Sequence, residues 1–131
     1  METTPRPAKL VLIVEDDEAV CDFLCTLVER EGHKTRQAHD GRKGLALVGQ
    51  ERFDAIITDL MMPDMGGFEF LRELQAGESS HVPVIIVTAK RLDRVAEEQL
   101  RAEPNVVEFL TKPIQQARLM CALQRAFQRG S

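Results

Sequence analysis

An apolar run, Ala55 to Ile57, leads through Thr58 into Asp59, and Met61-Met62-Pro63-Asp64-Met65-Gly66-Gly67 follows at once. Pro, Asp and Gly stop a strand and let the backbone turn, so Asp59 is presented where a strand ends. Three other runs also end in polar residues. Lys9–Val14 is closed by the acids Glu15-Asp16-Asp17-Glu18, Val82–Val87 by Thr88, and Val106–Leu110 by Thr111-Lys112-Pro113. Carboxylates gathered in one place repel and take up protons unless a cation neutralises them. An all-oxygen site with few protein ligands and room for water suits Mg2+. A fixed lysine ammonium and a hydroxyl beside such a metal are what a transferred phosphoryl group needs, and the carboxylate can itself be the nucleophile. Taken singly, each residue also has a structural reading: the acids as a helix start, the threonine as a strand end, Lys-Pro as a solvated turn.

These residues come together only if the elements carrying them run the same way. Lys9–Val14, Ala55–Ile57 and Val82–Val87 are continuous apolar runs of strand length, as for strands covered on both faces. Pro83 is admissible only near the start of its strand, because it cannot donate to a ladder. Thr35–Ala38 is short and half polar, which predicts a strand near an edge. Between the strands lie helical patterns: Val20, Phe23, Leu24, Leu27 and Val28, stopped at Gly32; Leu45 to Val48 after Asp40-Gly41; Phe68, Phe70, Leu71 and Leu74; Leu92, Val95, Ala96 and Leu100, ended by Glu103-Pro104-Asn105. The fifth, Gln115–Gln128, places Leu119, Met120, Leu123 and Phe127 on one stripe. Gly41 and Gly44 lower the helix propensity of the second and predict a less rigid element. Five strands alternating with five helices read as an α/β domain, a parallel sheet wound on both faces. Its strand carboxyl ends share one edge, which collects Glu15, Asp16, Asp17, Asp59, Thr88 and Lys112.

The chain has 131 residues, enough for one domain with a real core, at 44% hydrophobic and 29% charged. A net charge of −4 without a basic run argues against direct nucleic-acid binding. No apolar run approaches the ~20 residues of a membrane span, and residues 1–8 are polar and Pro-rich, a flexible arm rather than a signal peptide. A cytoplasmic location is the expectation. Cys21, Cys25 and Cys121 lack metal-ligand company and read as small core or boundary residues; His33, His39 and His81 read as solvated loop residues.

Glu15-Asp16-Asp17 after the first strand, Asp59-x-x-Met62-Pro63-x-x-x-Gly67, Thr88-Ala89 and Lys112-Pro113 together resemble the receiver domain of two-component response regulators. The resemblance covers residues 9 to about 129, and the domain is drawn as 9–130. It implies a doubly wound, flavodoxin-like five-stranded parallel sheet in the order 2-1-3-4-5. It also implies that Asp59 is the phosphoacceptor for a sensor histidine kinase or phosphotransfer protein. Asp16 is then a Mg2+ ligand, with Glu15 acting directly or through water, Asp59 itself, and the Met61 backbone carbonyl. Thr88 and Lys112 are to contact phosphoryl oxygens, the Lys112–Pro113 bond to be cis, and Asp17 to serve the helix start. Thr88 and Phe109 are the implied switch pair, remaking the face of the fourth helix, fifth strand and fifth helix for a downstream protein, an output domain or a phosphorylation-dependent homodimer. Such a domain is no enzyme beyond phosphotransfer to its own Asp and slow self-dephosphorylation.

The chain departs from that pattern in places. Glu103-Pro104-Asn105 stands where receivers carry a Gly-Ala pair, and the span from Thr88 to Lys112 is about two residues longer than receivers usually have. An irregular fourth helix or exit loop is the expected consequence. Ile114 replaces an aromatic. Met61 and Lys90, two residues past Asp59 and Thr88, occupy positions that tune acyl-phosphate lifetime in the family. A haloacid-dehalogenase-like phosphatase would want an Asp at position 61, where Met stands. The other alternative is a degenerate receiver acting as a phosphorylation-independent interaction module, whose usual sign, loss of the Asp, acids or Lys, is missing.

Overall fold

A computed structural model describes residues 8–62, 65–89 and 92–130. The strands are β1 (Leu10–Val14), β2 (Lys34–Ala38), β3 (Ala55–Asp59), β4 (Val84–Thr88) and β5 (Val106–Thr111). The helices are α1 (Glu18–Arg30), α2 (Gly41–Gln50), α3 (Gly67–Ala76), α4 (Arg94–Arg101) and α5 (Gln116–Gly130). The strands form one parallel sheet in the order β2-β1-β3-β4-β5, so the half-polar β2 is indeed an edge. Pro83 lies just before β4, where its carbonyl accepts from Ile56 N–H at 2.9 Å. Residues 1–7 of the expected arm 1–8, together with Pro63, Asp64, Lys90, Arg91 and Ser131, lie outside the described residues.

The period-two alternation of a strand divides the core into two layers. Val11, Ile13, Ala55, Ile57, Ile85 and Val87 pack against α1 and α5. Leu12, Val14, Ile56, Val84 and Ile86 face the opposite way, toward Phe70, Leu71 and Leu74 of α3 and Leu100 of α4. Two of the apolar stripes differ from the sequence expectation. On α1 the buried set is Cys21, Leu24, Cys25, Leu27 and Val28, while Phe23 is 47% exposed. The thiols thus fill the i, i+3, i+4, i+7 seam, and the ring predicted to share it points outward. On α4 only Leu100 is buried, and Val95 is 65% exposed.

Local chemistry starts and stops the helices as expected. Asp17 caps α1 by accepting from Ala19 and Val20 N–H, and Gly32 adopts φ +89° beyond its end. Asp40 and Asp93 cap α2 and α4. Gly41 and Gly44 of α2 have a packing role: a Cβ on Gly41 would lie 2.9 Å from the Met65 side chain, and one on Gly44 3.0 Å from Val14 Cγ2 and 3.1 Å from the Phe70 ring. Their cost in propensity is therefore exchanged for a close approach of α2 to β1 and α3. His33 is half buried rather than solvated, accepting from Lys9 N–H at 3.2 Å and meeting the Phe127 ring edge-on. His39 is half buried too, with its Nε2 enclosed.

The sheet carries one irregularity between Thr88 and Lys112. Val84 pairs with Val106, but Ile85 pairs with Glu108, so Val107 is an added residue in β5. Asn105, buried just before it, donates to Val82 carbonyl at 3.1 Å and accepts from Gln75 of α3. The irregularity among the described residues is thus a one-residue bulge at the start of β5, next to the exit loop of α4, and from Ile85 onward the register runs unbroken to Thr88↔Thr111.

Gly67 fixes how closely α3 follows Asp59. A Cβ there would sit 2.8 Å from Leu60 Cα and 3.1 Å from the Asp59 carbonyl oxygen, both backbone atoms that cannot rotate away. Gly67→Ala is expected to destabilise the domain by about 1–3 kcal/mol, the usual cost of overpacking. Urea unfolding with an unchanged midpoint would contradict this close packing.

Candidate phosphoacceptor site

Parallel pairing brings the strand ends to one edge, as the sequence requires. Asp59 is the last residue of β3, enclosed between β1 and β4 and 4% exposed. Its Oδ1 accepts from Met61 N–H at 3.2 Å, which orients the carboxylate at the turn. Glu15, one residue beyond β1, is 1% exposed; its backbone N–H donates to Ala38 carbonyl and its Oε2 accepts from Asp17 N–H at 3.2 Å. Asp16 is exposed at the rim. One carboxylate oxygen from each of Glu15, Asp16 and Asp59 lies within 4.8 Å of the others.

Lys112 reaches into this cluster from β5. Its N–H donates to Thr88 carbonyl at 2.8 Å, which fixes its position through the backbone; the Lys112–Pro113 bond is cis. Its Nζ lies 2.5 Å from Glu15 Oε1 and 3.5 Å from Asp59 Oδ2. Thr88 is buried at the end of β4, Met61 is 65% exposed beside Asp59, and Phe109 is half buried on β5. Asp17 belongs to the α1 cap, where its side chain makes both its bonds. Glu15, Asp16, Asp59, Met61, Thr88 and Lys112 therefore converge on one edge.

The electrostatics follow from burial. Removal from water pushes the Glu15 carboxyl up to about 7; the Lys112 and Asp17 contacts pull it down, and Asp59 and Asp16 add to the rise. Burial works against the Lys112 ammonium, but its bond to Glu15 and the charges of Asp59 and Glu15 hold it above the ordinary lysine range. The cluster thus carries more negative charge than one ammonium balances. An all-oxygen donor set with that surplus fits a hard divalent cation.

Two details had no signal in the sequence. The guanidinium of Arg101 lies over the Phe109 ring, 4.9 Å from its centroid. Asp54 Oδ2 accepts from Leu10 N–H at 2.8 Å, fastening the loop before β3 to β1. The first joins a helix to the strand that follows it, the second joins residues far apart in the chain. Among the described residues no helix is long and apolar enough to cross a membrane.

A doubly wound parallel sheet whose strand ends hold an acid cluster, a buried aspartate and a lysine defines a class, the flavodoxin-like signalling domains. Residues 11–124 match the response regulator receiver domain family, and the chain belongs to it. It is 34% identical over 111 residues to protein PilH of Pseudomonas aeruginosa, covering 84% of this chain and 90% of that protein. It is 35% identical over 123 residues to the sensory transduction protein RegX3 of Mycolicibacterium smegmatis, covering 92% of this chain but 51% of that one. The chain thus spans about half the length of RegX3. Among solved structures it resembles the receiver domain of sensor histidine kinase PA1611 from P. aeruginosa, crystallised with magnesium coordinated in its active site cleft. The TM-score there is 0.83 at 28% identity, over 93% of this chain and 99% of that one.

Because Glu15 holds its proton more tightly folded than unfolded, its stabilising effect is full below about pH 4.5 and fades as pH rises toward 7. In EDTA, unfolding free energy is expected to fall by roughly 1–3 kcal/mol across that window. Glu15→Gln should remove the slope. A metal-free wild type whose stability is flat from pH 4.5 to 7.5 would contradict it.

Proposed function

We propose that this chain is a phosphoacceptor receiver domain in which Asp59 takes a phosphoryl group from a partner histidine kinase or phosphotransfer protein. The observation that carries this reading is Lys112 Nζ bridging Glu15 and Asp59 at a buried strand edge, with Asp16 at the rim. Glu15, Asp16, Asp59 and the Met61 carbonyl would hold Mg2+, which when bound neutralises the carboxylates and draws charge from the phosphoryl oxygens.

An Asp59 carboxylate oxygen attacks phosphorus while the P–N bond to the donor imidazole breaks, its electron pair returning to the ring. The product is an acyl phosphate on Asp59. Lys112 exchanges its carboxylate contact for a phosphoryl oxygen, and the Thr88 hydroxyl, on the adjacent strand, donates to another. Each contact favours the phosphorylated arrangement only so far as it is stronger there than at rest. As Thr88 moves toward the phosphoryl group, Phe109 turns inward behind it, and the α4-β5-α5 face presents a new surface to a downstream protein or output domain. Attack of water on phosphorus returns the carboxylate and inorganic phosphate. The net charge of −4 speaks against nucleic acid as the direct partner, and the cytoplasm is the compartment proposed.

Intact mass after incubation with Mg2+ and acetyl phosphate tests the reading. One added phosphoryl group is expected on the wild type, none without Mg2+ and none on Asp59→Asn. An unchanged adduct on Asp59→Asn would overturn it.

Exposed Met61 stands beside Asp59 and presents an apolar side chain to incoming water. Met61→Asn is expected to shorten the acyl-phosphate lifetime several-fold, an effect of about 1 kcal/mol on the barrier. Identical decay of the isolated phosphoprotein in the two chains would exclude that role. Lys90, the second position expected to tune this lifetime, lies outside the described residues.

A further inference from the structure

We infer that Glu97, Arg101 and Phe109 form a latch that seats α4 on β5 in the resting domain, and that Arg101 thereby sets how readily the domain switches. This rests on the switch role proposed above for Phe109. Helix α4 has eight residues, of which Leu100 alone is buried, and its Val95 faces solvent. On its α3 side it stands off across a cleft of about 280 Å3 lined by Phe68, Leu71, Arg72, Gln99, Ala102 and Glu103. Room to shift therefore exists on one flank. On the other, the Arg101 guanidinium covers the half-buried Phe109 ring, 4.9 Å from the centroid.

The guanidinium is aimed from its own helix. Glu97, one turn earlier, accepts from Arg101 Nη2 at 2.9 Å and from Nε at 3.3 Å. An arginine held over an aromatic face attracts the ring electrostatically and shields it from water. A lysine, lacking the planar fork, keeps the charge but neither the stacking nor the two-point hold on Glu97. Inward rotation of Phe109 would take the ring from beneath the guanidinium. The contact exists in the resting arrangement and is lost in the switched one, which is the differential interaction that biases a two-state equilibrium. Arg101 is thus a positioning residue, acting on the site through Phe109 and α4.

Arg101→Gln, Arg101→Lys and Glu97→Gln, in chains with 13C-labelled phenylalanine, test the latch by NMR of the Phe109 ring and by the rate of Mg2+-dependent phosphorylation from acetyl phosphate. Arg101→Gln is expected to move the resting Phe109 signal toward its position in the phosphorylated wild type and to speed phosphorylation roughly two- to fivefold, as befits an exposed cation–π contact. Glu97→Gln should move both in the same direction by less, and Arg101→Lys should fall between Arg101→Gln and wild type. A Phe109 signal and rate unchanged in Arg101→Gln, with the wild type phosphorylated normally, would overturn the latch. A wild type that takes no phosphoryl group would instead sink the phosphoacceptor reading. Thermal melts of all variants separate loss of the latch from loss of the fold: an Arg101→Gln chain that changes only by unfolding, with Arg101→Lys identical to wild type, would also count against it.

Discussion

Glu15 and Asp59 are taken out of water side by side, and bringing buried carboxylates together is costly unless positive charge meets them. In this domain one ammonium, Lys112 Nζ, meets both. The geometry of everything nearby serves that meeting. Glu15 must leave β1 at its carboxyl end, Asp59 must leave β3 there, and Lys112 must reach across from β5 at the sheet's far edge. Only parallel strands in the observed order place all three so. The balance remains incomplete, since three carboxylates outnumber one ammonium; the Glu15 carboxyl is raised chiefly by its removal from water, and Asp59 and Asp16 add to the rise. A divalent cation or a rearranged lysine changes the balance at once, which makes the edge responsive to added charge.

The rest of the domain divides into parts that hold this edge still and parts able to move. The sheet core, the Asp17 cap and the Gly67 approach hold it still. Asn105 does so at a distance, tying the start of β5 to α3 and to the segment before β4 through its two side-chain bonds. The bulge at Val107 then takes up one residue before the register reaches Thr88 and Lys112. By contrast α4 carries one buried side chain, a cleft on one flank and an arginine–aromatic contact on the other. A charge change at Asp59 would find its least resistance there, because packed strands resist small displacements while a lightly seated helix does not.

Much of this was legible in the sequence because the signals are local. Continuous apolar runs gave the central strands, the half-polar Thr35–Ala38 gave an edge, and acids, Thr and Lys at run ends gave the site. What escaped depends on tertiary neighbours. Phe23 and Val95 fit a helical stripe on paper, yet the sheet is covered by Cys21, Cys25 and Leu100 instead, because burial is decided by which face meets the strands. The long span before Lys112 pointed to an irregular α4 or exit loop; the bulge the fold shows lies in β5, two residues past the buried, hydrogen-bonded Asn105. His33 fits a solvated loop by sequence, and only the fold brings it against Phe127. Arg101 over Phe109 is a contact between a helix and a neighbouring strand for which no motif exists.

The central claim is that Lys112 gives up its carboxylate contact for a phosphoryl group formed on Asp59. A crystal structure with Mg2+ and beryllium trifluoride, a phosphoryl mimic that bonds carboxylates, tests it most directly. The predicted result has beryllium bonded to an Asp59 carboxylate oxygen. Lys112 Nζ and the Thr88 hydroxyl each lie within hydrogen-bond distance of a fluorine, and Glu15 is released from Lys112. An Asp59 left unmodified under those conditions, or Lys112 still paired to Glu15 beside a modified Asp59, would contradict it.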